Sequence, residues 1–242
     1  EGRISNGCLA LYNEAQRDAF KPITAFIKSQ GSVAGIQLSH SGRKGEGDWD
    51  LMAPSASAFS DKYKTPREMN LTDIKNIVSN FAHSAKLAFE AGFEIIEAHM
   101  AHGYLMHQFL SPLSNKRKDE YGGSLENRMR LPLMVAQALR DSWPLHLPIF
   151  VRISATDWVE NAGWDLAQSI ICCRELKKIG IDFIDVSTGG AISKANVPVG
   201  PGYQVEFASA IKKEVGILTG AVGLITKSSQ AESILVDDKA DA

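Results

Sequence analysis

The sequence predicts an α/β fold, a parallel sheet covered by helices. Three observations lead there. Apolar runs of strand length alternate with segments of helical period. Polar residues gather at the C-terminal end of each run, and the runs are apolar enough to be buried on both faces. No linker, charge block or low-complexity tract interrupts the 242 residues, so a single domain over 1–242 is expected.

Each element has its own signal. "YNEAQRDAFKPITAFIKSQG" reads as a helix with Phe20, Ile23, Phe26 and Ile27 on one side and Gly31 as the stop. "VAGIQLS" (33–39) is the first strand. After a long polar loop, "LTDIKNIVSNFAHSAKLAFEAG" aligns Ile74, Ile77, Val78, Phe81, Ala85 and Ala88 on one stripe. Thr72 is the expected N-cap there and Gly92 the terminator. "FEIIEAH" then leads to a helix from Ser124 to Trp143, and "PIFVRIS" to one opening near Asp165. "IDFIDVS" leads to a helix near Tyr203 to Val215, and "GILTGAVG" to "KSSQAESILVDD". Gln37, His40, His99, Arg152, Asp157 and Gly189 all fall at or just past a strand's C-terminal end. A (β/α)8 barrel carries its chemistry there, and an open doubly wound sheet binds ligands there too.

Composition narrows the function classes. The formal charge of -2 provides no basic field for nucleic acid, and no apolar run reaches the roughly 20 residues that cross a bilayer. The three cysteines, Cys8, Cys172 and Cys173, form neither a disulfide framework nor a metal knuckle. With no signal-peptide pattern at the start, a reducing cytoplasm is expected.

The stretch "EAHMAHGY" (97–104) admits three readings. His99 and His102 could bind zinc with Glu97 or His107, although a strand exit is not the helical spacing of metalloproteases. They could be two histidines satisfied by neighbours. Or they could aim two N–H donors at one oxygen and stabilise negative charge there. Tyr104 adds an O–H suited to proton donation. Arg152 is a charge in an otherwise buried strand, and it needs an anionic partner (Asp185 or Asp157) or a planar acceptor array. Gln37 offers one donor and one acceptor on a rigid strand. "TGAVGLIT" (219–226), with Gly220 and Gly223, is either a tight turn or a phosphate cradle of backbone amides opening a helix.

Together, "GIQLSHSGRK", "HMAHGYLMHQFLSPLSNKRKDEYGGSLENR", "VRISATDW", "PGYQVEFASAIKKE" and "TGAVGLIT" closely resemble the Old Yellow Enzyme family of FMN-dependent oxidoreductases, nearest its thermophilic-like bacterial branch. The resemblance covers the whole chain and implies a (β/α)8 TIM barrel with FMN at the C-terminal mouth. It implies that Gln37 pairs with the flavin's pyrimidine edge, that Arg152 lies near N1 and O2, and that Gly220 and Gly223 belong to the phosphate region. His99 and His102 would hold the carbonyl oxygen of an activated alkene, Tyr104 would give the proton, and Lys44 would line the pocket. NADPH or NADH would be the hydride donor, and no metal is implied.

Family members are longer, and the five strands here match their strands three to seven. Strands one, two and eight are expected to be missing, along with the family's redox-tuning cysteine, its substrate-binding tyrosine and an arginine near its C-terminus. The expected molecule is therefore an incomplete barrel, a homo-oligomer or partner of a complementary chain, that binds FMN poorly by itself.

Overall fold

A computed structural model describes residues 2–242. Helix α1 (Glu14–Ser29) precedes strand β1 (Gly35–Leu38). A loop carrying the single-turn segment Gly42–Lys44 and two short parallel strands, β2 (Met52–Ala53) and β3 (Arg67–Glu68), leads to α2 (Leu71–Glu90). Then follow β4 (Ile95–Met100), α3 (Leu105–Leu110), α4 (Leu125–Ser142), β5 (Ile149–Ser154) and α5 (Leu166–Ile179). The chain closes with β6 (Phe183–Ser187), α6 (Val205–Val215), β7 (Leu218–Ala221) and α7 (Ser228–Val236).

The main sheet has the order β1-β4-β5-β6-β7, parallel throughout. Sequential strands joined through helices give the βα succession of a barrel, here with five strands. Beyond β7, the N–H of Ala221 donates to the carbonyl of Ala242 and that of Asp241 to Thr219, so residues 241–242 run along the outer edge of β7.

In-register residues of neighbouring strands share a face. One face carries Ile96, Ala98, Met100, Val151, Ile184 and Val186, all fully buried under the helices. Burying one such aliphatic side chain contributes about 2 kcal/mol, so this face anchors the fold. The other face carries Gln37, Glu97, His99, Arg152 and Asp185, and its first strand is largely exposed.

Helix ends follow local chemistry. The Asn13, Ser124 and Asp165 side chains cap α1, α4 and α5. At α2 the cap is Asn70, not Thr72: Asn70 and Asp73 exchange side-chain-to-backbone bonds in a capping box, because the helix starts one residue before Thr72. Helix α1 differs more from expectation. Phe20 and Ile27 pack on the core, but Ile23 and Phe26 are exposed, and the side chain buried within the helix is Thr24, whose hydroxyl donates to the Ala91 carbonyl at 2.6 Å. Packing against α2 selects a narrower face than the apolar period marks out. Among the described residues no helix is long and apolar enough to cross a membrane.

Candidate active site

Strand β4 ends at Met100, and the chain then turns sharply. His102 (φ 58) and Gly103 (φ 73) are both left-handed, a conformation costing a non-glycine residue roughly 1 kcal/mol. The turn is held from several sides. The His102 N–H donates to Ser154 Oγ at 2.9 Å, and Ser154 Oγ donates to the Gly189 carbonyl at 2.8 Å. The Lys44 ammonium donates to the His102 carbonyl at 2.8 Å. The Gly103 N–H donates to His107 Nδ1 at 2.9 Å. A Cβ on Gly103 would collide with the Gly190 carbonyl, and one on Gly190 with the His102 backbone. Only glycine allows the two loops to approach so closely.

This turn brings three rings together. The His99 and His102 rings are 5.1 Å apart between centroids, and His99 and Tyr104 are 5.2 Å apart. Lys44 Nζ lies 4.9 Å from the Tyr104 ring centre and 4.5 Å from that of Phe59. Burial first, then the neighbouring positive groups, holds His99 at about 3 and His102 at about 4. Both imidazoles are neutral at pH 7, so each has one N–H to give. Burial, reinforced by Arg43, lowers the Lys44 pKa; burial raises that of Tyr104, keeping its proton in place.

Register places Arg152 beside His99, Asp185 beside Arg152 and Gly220 beside Asp185; Gln37 pairs with Glu97. The Gln37 amide donates to Glu97 Oε1 at 2.5 Å, leaving its carbonyl oxygen free. Arg152 sits 3.3 Å from Asp185, the first of its two expected partners, and its Nε is buried with no acceptor. Burial pushes the Asp185 carboxyl up despite Arg152, so this pair is only weakly satisfied. His99 Nδ1 is likewise buried without a partner.

Other expectations part from this cluster. His107 and Asp157 lie behind it, fully buried, with Nε2 and Oδ1 3.0 Å apart but turned off the line of a good hydrogen bond. Asp157 also accepts from Ser111 at 2.6 Å and from the Trp164 N–H at 2.8 Å, so it is structural. His40 is buried, and its Nδ1 accepts from the Gly42 N–H at 3.0 Å. No three His, Cys, Asp or Glu side chains group as a metal set among the described residues; Glu97 and His107 point to other partners. The phosphate expectation needs correction in one respect: Gly220 lies within β7, and the next helix begins only at Ser228, so the 220–223 amides do not open a helix. At position 220 a Cβ would press against the Phe183 ring at 3.0 Å, so a larger residue there requires that ring to shift.

Sequence reasoning missed Ser154, Ser187 and Gln204. His102 Nε2 is 2.7 Å from Ser187 Oγ, and Gln204 Oε1 receives the Thr188 hydroxyl at 2.5 Å. The signal was the alternation in "RIS" and "DVS", which returns both serines to the open face in register.

The family model described as NADH:flavin oxidoreductase / NADH oxidase family matches residues 1–242. The chain belongs to this family. It is 48% identical over 241 residues to an NADPH dehydrogenase of Bacillus velezensis, covering 100% of this chain and 70% of that protein. Among solved structures it resembles an Old Yellow Enzyme homologue from Zymomonas mobilis, with a TM-score of 0.79, 25% identity and coverage of 96% of this chain and 68% of that one. A 2-naphthoyl-CoA reductase shares the fold at a TM-score of 0.92 and 23% identity; the match covers 99% of this chain and spans 39% of that one. The family's cofactor is FMN, with NAD(P)H as donor. The open face fits a flavin: a free amide carbonyl on Gln37 and an unpaired guanidinium N–H on Arg152 stand on it beside the neutral histidine pair.

Proposed function

We propose that this chain acts as an ene-reductase on α,β-unsaturated carbonyl compounds or similarly activated alkenes. The observation that carries this reading is the convergence of His99, His102 and Tyr104 beside Arg152, with His99 Nδ1 and Arg152 Nε both lacking partners. Buried polar groups without partners are costly, and a ligand that completes them removes that cost.

The chemistry that bound FMN supplies is two-electron hydride transfer, from NADPH or NADH to the β-carbon of the alkene. Gln37 and Arg152 would hold the flavin's polar edge, with Glu97 fixing which end of the Gln37 amide points outward. The Arg152 charge would favour an anionic ring. Gly220, near the end of β7, and Gly223, in the segment that follows, would lie near the phosphate. His99 and His102, each neutral, would give one N–H to the substrate carbonyl oxygen and so stabilise the negative charge that gathers there. Tyr104 holds its proton at the same mouth and would pass it to the α-carbon. Lys44 pins the His102 carbonyl and keeps the turn in place.

A spectrum tests this. The purified chain should show flavin absorbance that NADPH bleaches anaerobically and cyclohexenone restores. Bleaching without restoration rules out the alkene reading. A second reading, a chain that needs a complementary segment before it binds flavin, is favoured by the exposed Ile23 and Phe26 on α1. A colourless chain that gains flavin only when such a segment is added supports it.

A further inference from the structure

A charge beside a redox ring acts through its sign and through whatever its neighbours leave of it. Arg152 is the cation that the open face offers to such a ring. We propose that Asp185 is a positioning residue for Arg152: its carboxylate holds the guanidinium and offsets part of its charge, and so sets how readily a flavin on this face accepts electrons. The consequence for the flavin rests on the proposed function; the pairing itself does not.

Arg152 is held differently from the other arginines of the interior. Arg43, Arg117 and Arg128 are buried and donate to backbone carbonyls: Ala191 for Arg43, Pro54 and Met69 for Arg117, Gly123 and Leu110 for Arg128. The Arg152 guanidinium reaches no carbonyl among the described residues. Its Nη1 lies 3.3 Å from Asp185 Oδ2, and its Nε is buried without an acceptor. One carboxylate therefore takes the place that carbonyls fill elsewhere, and it carries a charge where they carry none.

The neighbouring residues leave this pair to itself. His99, Arg152, Asp185 and Gly220 stand in register across β4 to β7. Beside Arg152 the His99 ring is neutral at pH 7, and beside Asp185 there is no side chain: a Cβ on Gly220 would come within 3.7 Å of Asp185 Oδ1. Glu97, the other acid of this face, accepts from Gln37 at 2.5 Å, and Lys44, at the mouth, is tied to the His102 carbonyl. Among the described residues Arg152 and Asp185 are each other's only ion-pair partner. Burial raises the Asp185 carboxyl and the guanidinium lowers it, so removing either charge changes the other.

Two measurements on the full chain test this. Carbon-13 NMR follows the Asp185 carboxyl, assigned by its loss in Asp185→Glu. Arg152→Met leaves burial unopposed, so the Asp185 titration should move to higher pH; an unmoved titration overturns the proposal. With FMN bound, the midpoint potential is read against a reference dye. Asp185→Asn keeps the shape and removes the charge, so the potential should rise by about 30 mV, a tenfold shift for a two-electron couple. Arg152→Met should lower it, and Asp185→Glu, which keeps the carboxylate, should hold it near the wild-type value. A side chain that only fills space would give no such opposition of sign. An unchanged potential in Asp185→Asn, or a fall in both Asp185→Asn and Arg152→Met, overturns the proposal. If Asp185→Asn fails to fold, the carboxyl titration still decides whether Asp185 offsets Arg152. A chain that shows the coupled titration but takes up no FMN would sink the flavin reading and leave the pairing standing.

Discussion

Two histidine clusters stand at the ends of the same strands, one before them and one behind, and they are built on opposite rules. Behind the strand ends, His107 and Asp157 are fully buried: Asp157 accepts from Ser111 and from the Trp164 N–H, His107 Nδ1 accepts from the Gly103 N–H, and His107 Nε2 faces Asp157 Oδ1 at 3.0 Å, off the line of a good hydrogen bond. In front, His99 and His102 face the open side of the sheet, and His99 Nδ1 has nothing to bind. The rear cluster uses its polar groups to hold a turn; the front cluster keeps valences in reserve. Residue type does not separate a structural histidine from a functional one. The separation lies in what the fold has set beside each: His107 Nε2 has the Asp157 carboxylate 3.0 Å away, and among the described residues no carboxylate pairs with His99.

The largest effect that would break this contrast lies in the rear cluster. Asp157→Ala removes a buried carboxylate and strands the Ser111 hydroxyl, the Trp164 N–H and His107 together. Unfolding stability should drop by about 3–5 kcal/mol, read from denaturant midpoints. A loss under about 1 kcal/mol would mean the pocket behind the turn is wet and the two clusters are alike.

His99→Ala probes the front. Alkene reduction should fall roughly a hundredfold, near 3 kcal/mol of barrier, with bound flavin and melting temperature nearly unchanged. Parallel loss of flavin and activity would make His99 a structural residue like His107.

The smallest effect sharpens the electrostatics. The folded pKa of His99, about 3, lies below the ordinary histidine value, so the unfolded chain binds more protons as pH falls. Stability from this group is fully present above pH 6.5 and declines down to about pH 3. Its contribution to the slope is about 1.4 kcal/mol per pH unit inside that window. His99→Gln should flatten the pH dependence of the denaturant midpoint by that amount between pH 6 and 4. An unaltered slope would show that the imidazole is already charged or solvated.

Much of this was legible in the chain. Apolar runs and helical periods located five strands and their helices, since side-chain alternation and the 3.6-residue repeat are local properties. Gln37, His99 and Arg152 could be placed together because all three close a strand, and parallel register carries strand ends to one side. The loop from 40 to 70 hid a turn and two short strands, whose pairing of Met52 with Arg67 and Ala53 with Glu68 has no periodic signature. The apolar stripe of α1 misled, because Ile23 and Phe26 share the right spacing but remain exposed.

By itself, then, the sequence determined the element order, the parallel sheet and the residues that gather at its C-terminal ends. Tertiary structure alone decided which polar groups are satisfied there. His102 meets Ser187 across 85 residues, and Ser111 meets Asp157 across 46. Hydrogen-bond satisfaction is a property of atoms within about 3 Å of each other. Period and propensity describe neighbours along the chain and carry no information about that distance.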